Sequence, residues 1–176
     1  MGLLVDGQWQ DKWYDTDASG GRFERSEAVF RHWITADGAA GPTGDAGFTA
    51  EPGRYHLYAS YACPWAHRVL IYRALKGLES MIEVSFVHWF MGELGWSFKS
   101  DEQNIVGDHL MNTAQLYEIY QQADPQFTGR VTVPLIWDRQ QQTIVSNESS
   151  EIIRMLNSAF DGLGANPEDY YPDAHR

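Results

Sequence analysis

A single cysteine stands in 176 residues, and its neighbours make it a candidate nucleophile. Cys63 lies in the stretch Tyr61-Ala62-Cys63-Pro64-Trp65-Ala66-His67-Arg68. A proline just after it suits the first position of a helix, where the missing N–H is not needed. Cys63 would then occupy a helix N-terminus, where unpaired N–H groups and the helix dipole stabilise an anion. That setting favours the thiolate, the form of cysteine that attacks sulfur. The alternative for a lone thiol is a buried, inert side chain. The strand–Cys-Pro–helix context weighs against it.

Ala66 stands where a Cys-x-x-Cys motif would carry its second thiol. A dithiol mechanism is therefore excluded, and a mixed disulfide on Cys63 would have to be resolved by an outside thiol. One cysteine also excludes an internal disulfide and a thiolate metal cluster. Cys63 is poorly surrounded by His, Asp or Glu at ligand spacing, so no metal is expected. The chain carries 24 acidic and 13 basic residues, a net charge of −11. That balance argues against nucleic acid or an anionic membrane as partner, while leaving room for a local basic site. Met1-Gly2-Leu3-Leu4-Val5-Asp6 lacks the basic start of a signal peptide, and no run approaches a membrane span. The expectation is a cytoplasmic protein.

The elements that would position Cys63 can be read from periodicity. Residues 54–59 alternate and carry β-favouring tyrosines, so they read as a strand. Residues 64–76 place Trp65, Val69, Tyr72 and Leu75 at helical spacing, with Gly77 as the residue that ends the helix. Residues 82–87 alternate as a second strand. Residues 88–110 read as a long aromatic loop, a length that is often functional. A helix follows over 112–123, with Leu116, Ile119 and Tyr120 apolar. Val131 to Trp137 is strongly β with Pro134 inside, which suits a strand edge or bulge. Residues 143–145 return as a short strand. Ser146-Asn147-Glu148-Ser149 then offers helix-capping residues ahead of a helix through Phe160. The order βαβ, α, ββ, α is that of a thioredoxin-like α/β fold. Residues 1–52 read as an extension that sustains neither period and pins itself by Trp9, Trp13, Tyr14, Phe23, Phe30 and Trp33. Residues 53–160 read as the folded domain, and 161–176 as a linker.

Several of these stretches together resemble the glutathionyl-hydroquinone reductases, the Xi class of omega-like glutathione transferases. The matching residues are Cys63-Pro64-Trp65-Ala66-His67-Arg68, Gly95-Trp96, Gly129-Arg130-Val131-Thr132-Val133-Pro134, Trp137-Asp138 and Ser146 to Arg154. The resemblance covers essentially the whole chain. It implies a glutathione-dependent oxidoreductase that returns glutathionyl-hydroquinones to hydroquinones through a mixed disulfide on Cys63, with glutathione as co-substrate. It implies a cis bond between Val133 and Pro134, with the Val133 backbone pairing the cysteinyl part of glutathione. Glu148 and Ser149 would take the γ-glutamyl end, Arg130 a carboxylate, and Trp96 would cover the ligand; Val131 and Thr132 belong to the same binding loop. Arg68 adds positive potential or merely occupies the helix surface; His67 is a candidate general base, but its adjacent place on the helix favours a structural role. Members of the family usually continue into an all-helical domain that carries quinol-binding tyrosines and much of a homodimer contact. This sequence reads as the half before it. An omega-like thioltransferase or dehydroascorbate reductase, or a glutathione-binding fragment with little turnover, are the competing readings.

Overall fold

The computed structural model describes residues 2–14, 20–22, 27–98 and 107–175. Phe23, one of the aromatics expected to pin the extension, lies outside them, as does the middle of the 88–110 loop. Among these residues there are seven strands: β1 (Leu3–Val5), β2 (Gln8–Gln10), β3 (Tyr55–Ala59), β4 (Glu83–Phe86), β5 (Gly129–Arg130), β6 (Leu135–Asp138) and β7 (Thr143–Ser146). Three α-helices join them: α1 (Pro64–Leu75), α2 (Leu116–Ala123) and α3 (Ser149–Ser158). Counted from β3, and setting aside the two-residue β5, which pairs with the extension instead of the main sheet, the expected order βαβ, α, ββ, α is found.

The main sheet runs β4-β3-β6-β7. β3 and β4 are parallel, while β6 pairs antiparallel with both β3 and β7. The two central strands are buried along their whole length. That burial explains why β6 reads as a continuous apolar run. Helices α1 and α3 pack against each other. Lys76, just past α1, is fully buried, and its ammonium donates to Asp161 Oδ1 and to the Glu168 carbonyl, both at 2.9 Å. The segment after α3 is thereby fixed to the end of α1.

Two features depart from the expected layout. Helix α2 begins at Leu116 rather than at 112. The chain before it wraps the Asp108 carboxylate, which accepts from the N–H groups of Leu110, Met111 and Thr113 at 3.0–3.2 Å. Asn112 takes a positive φ of 56° in that wrap, which a helix cannot continue. The other departure is in the extension. It contributes strands, forming a second sheet β2-β1-β5 in which Leu3 lies opposite Arg130 and Leu4 opposite Gly129. Strands of three residues are too short to show a period, so the pairing could not be read from pattern. The aromatic anchors are largely as expected. Trp9 stacks on Tyr117 at 5.0 Å, Phe30 stacks on Phe127 at 5.4 Å, and Trp33 is buried with its indole N–H on Thr43 Oγ1. Trp13 is the exception, being mostly exposed.

Candidate active site

Cys63 is the N-cap of α1, with Pro64 as the first helical residue. Its backbone is extended (φ −98°, ψ 113°), as a residue half in a helix requires. Its side chain makes no capping bond. The thiol instead donates to the Val133 carbonyl at 3.3 Å. Val133 precedes Pro134, and the bond between them is cis, as expected. No described residue accepts from the Val133 N–H. A backbone N–H with no acceptor among the described residues therefore lies on the same residue whose carbonyl meets the thiol.

A second cluster lies at the start of α3. Glu148 is the N-cap, its Oε1 accepting from the Ser150 N–H at 3.0 Å and the Ser150 hydroxyl at 2.9 Å. The two simpler candidates, Ser146 and Asn147, turn elsewhere. Ser146 Oγ accepts from the Glu148 N–H at 3.2 Å, and Asn147 Nδ2 donates to Tyr120 Oη at 3.1 Å. Ser149 is the first helical residue and only 1% exposed. Arg68, one turn along α1 from Cys63, donates to Ser149 Oγ from Nε at 3.1 Å and Nη2 at 2.5 Å. Its Nη2 also lies 3.8 Å from Glu148 Oε1. The Arg68 guanidinium stacks over the Trp65 ring at 4.8 Å. Helix α1 thus carries both the thiol and the cation that meets α3. His67 is exposed and makes no side-chain contact with the thiol.

The loop between β5 and β6 is held from behind by Tyr120. Its hydroxyl donates to the Thr132 carbonyl at 2.9 Å and accepts from the Thr132 N–H at 3.2 Å. Burial holds this phenol above its ordinary pKa, so it stays a donor. Val131 is buried in the core. Arg130 turns to the extension: Nη1 donates to the Lys12 carbonyl, and the guanidinium lies 4.1 Å from the Tyr14 ring centroid. Trp96 is 7% exposed, and its carbonyl accepts from the Leu116 N–H, which ties it to α2. The structure therefore joins Cys63 with Val133, and Glu148 with Ser149. It sets Arg130 on a third side and places Trp96 in the core beside α2. Arg68 is the residue that sequence reasoning undervalued. Its position one turn past Cys63 was the available signal.

A thiol at a helix N-terminus, an open backbone edge and a cation-backed serine on a second helix N-terminus suit a small peptide thiol with an acidic end. Residues 62–159 match the family model described as glutathione S-transferase, N-terminal domain. The chain belongs to the glutathione S-transferase family. Within that family it is similar to the glutathionyl-hydroquinone reductase YqjG of Escherichia coli K12, 59% identical over 174 residues, which cover 99% of this chain and 53% of YqjG. It is also similar to the glutathionyl-hydroquinone reductase PcpF of Sphingobium chlorophenolicum, 57% identical over 100% of this chain and 53% of PcpF. The chain spans about half the length of these curated relatives. The glutathione-bound structure of YqjG superposes with a TM-score of 0.87, covering 98% of this chain and 50% of that one at 53% identity. The resemblance read from the Cys-Pro-Trp-Ala and Ser-Asn-Glu-Ser motifs therefore holds through the whole glutathione transferase domain. Among its described residues no helix is long and apolar enough to cross a membrane.

Proposed function

We propose that residues 53–160 form a glutathione-binding domain and that the protein reduces glutathionyl-hydroquinones to hydroquinones. In the first step the Cys63 thiolate attacks the glutathionyl sulfur. A sulfur–sulfur bond forms to Cys63, the bond from sulfur to the ring carbon breaks, and that carbon takes up a proton. In the second step a glutathione thiolate attacks the mixed disulfide, giving glutathione disulfide and restoring the Cys63 thiolate. The thioether sulfur of the substrate and one glutathione thiol are oxidised together to the disulfide, and the ring carbon is reduced by the same two electrons as its bond to sulfur is replaced by a bond to hydrogen. The absence of a second thiol at Ala66 suits this sequence, because glutathione itself resolves the disulfide.

The observation that carries the reading is the 3.3 Å contact between Cys63 Sγ and the Val133 carbonyl. It sets the nucleophile beside an open backbone edge on which the cysteinyl residue of glutathione can pair as an added strand. The γ-glutamyl carboxylate would lie at the α3 N-terminus, on the Ser149 N–H and near Arg68, with Glu148 facing its ammonium. Arg130 would hold the other carboxylate, and Trp96 would stand over the ligand. The same reading makes the protein cytoplasmic and a full-length member of the family a homodimer. Intact mass measured after incubation with a glutathionyl-hydroquinone tests it. One glutathionyl unit should appear on Cys63 and none on Cys63→Ser. Wild-type protein that stays unmodified while no hydroquinone is released would overturn the mechanism.

A further inference from the structure

We infer that the N-terminal segment supplies a wall of the ligand site, with Tyr14 and the Lys12 carbonyl as positioning groups for the Arg130 guanidinium. This rests on the glutathione reading above. Arg130 is fixed at three points, all from the segment before residue 15. Its backbone pairs with Leu3, its Nη1 donates to the Lys12 carbonyl, and its guanidinium carbon lies over the Tyr14 ring, 4.1 Å from the centroid. The remaining guanidinium N–H groups have no acceptor among the described residues. A guanidinium carries five donors, so one bond to a carbonyl leaves a fork available for a carboxylate.

The direction of the ligand decides which carboxylate that is. With the γ-glutamyl end at α3 and the cysteinyl residue on Val133, the glycyl end runs away from α3. Arg130 lies three residues before Val133 in the chain, at the start of the same loop. Three extended residues reach about 10 Å, enough to span from the cysteinyl pairing edge to the glycyl carboxylate. A small cavity of about 20 Å³ lies between the extension and this loop, lined by Tyr14, Glu27, Val29, Arg130 and Thr132. The extension is thus seated beside the guanidinium. Glu27 shares that cavity and is a charge that an incoming carboxylate must oppose. A free arginine side chain loses much rotamer freedom when it binds. One held beforehand loses less, so the clamp raises affinity without touching the ligand.

The test is calorimetric titration of the full chain with glutathione and with its glycyl ethyl ester. Wild type should prefer the free acid by about tenfold, the scale of one charge-assisted contact. Tyr14→Leu should reduce that preference to about twofold. Tyr14→Phe, which keeps the ring, should retain the full preference. Arg130→Lys should lose it as Tyr14→Leu does, because an ammonium cannot lie flat on the ring, and this arm stands whether or not Tyr14→Leu folds. A preference that survives in Tyr14→Leu, or in Arg130→Lys, overturns the positioning role while the glutathione reading stands. A wild-type chain that binds neither compound overturns the glutathione reading itself.

Discussion

Arg68 of α1 and Ser149 of α3 are bound by two N–H donations to one oxygen, at 3.1 and 2.5 Å. Ser149 is nearly fully buried, so its hydroxyl meets the cation in a poorly solvated place. The contact holds the N-termini of two helices in a fixed relation, one bearing the thiol and the other the proposed γ-glutamyl site.

Removing the cation should therefore weaken the ligand without unfolding the domain. Arg68→Ala is expected to raise the dissociation constant for glutathione about tenfold, the loss of one charge-assisted contact. Isothermal titration measures it. An unchanged constant would show that Arg68 only braces the two helices.

Asp138 closes β6 on a buried cation. Its carboxylate accepts from Arg54 at 3.0 and 2.6 Å and from the Gln140 N–H at 2.8 Å. Asp138→Ala leaves the Arg54 charge buried without its main partner, a class of change that costs about 3–5 kcal/mol. Urea denaturation should show the midpoint falling with little change in slope. A loss below about 1 kcal/mol would mean that Glu51, 2.8 Å from Arg54, suffices as its counter-ion.

His56 gives the fold a pH dependence. Burial, with the Arg139 charge adding to it, pushes this imidazole down to about 4 from an ordinary 6.5. The folded state holds it neutral, while the unfolded chain binds a proton below its ordinary value. Its contribution is full above pH 6.5 and is lost as pH falls toward 4, by about 3 kcal/mol in total. Denaturation midpoints across that window check it. His56→Gln should flatten the slope, and an equal slope in that variant would assign the effect elsewhere.

Gly95 sits at a φ of +73°, and an added Cβ would fall 2.6 Å from the Trp9 ring. Trp9 in turn donates to the Glu93 carbonyl and stacks on Tyr117. Gly95→Ala should cost about 1–2 kcal/mol from backbone alone and dislodge Trp9. Faster cleavage of residues 1–14 in limited proteolysis is the expected readout. Wild-type cleavage would mean that Trp9 shifts without releasing the extension.

The core of the domain was legible because its signals are local. Alternation marked β3 and β4, helical spacing marked α1, and Pro64 marked where α1 starts. The extension was opaque because what orders it is distant: Leu3 meets Arg130, and Arg31 pairs bidentately with Glu151. The N-cap of α3 was legible only to within two residues. Among Ser146, Asn147 and Glu148, all able to cap, the choice fell to Glu148 because Tyr120 draws Asn147 inward. Local pattern locates the thiol and the cis-proline loop. It does not tell that Arg68 crosses to Ser149, since that contact depends on how two helices lie against each other.

Cys63 occupies a position that most helices give to serine, threonine, aspartate or asparagine, and its side chain caps nothing. A hydroxyl or carboxylate there typically contributes about 1 kcal/mol. The domain thus forgoes a common source of robustness at one residue in order to leave the first amides of α1 unclaimed. In the proposed mechanism, activity and stability are set against each other at that single site. Cys63→Asp should be the more heat-resistant protein and the inert one.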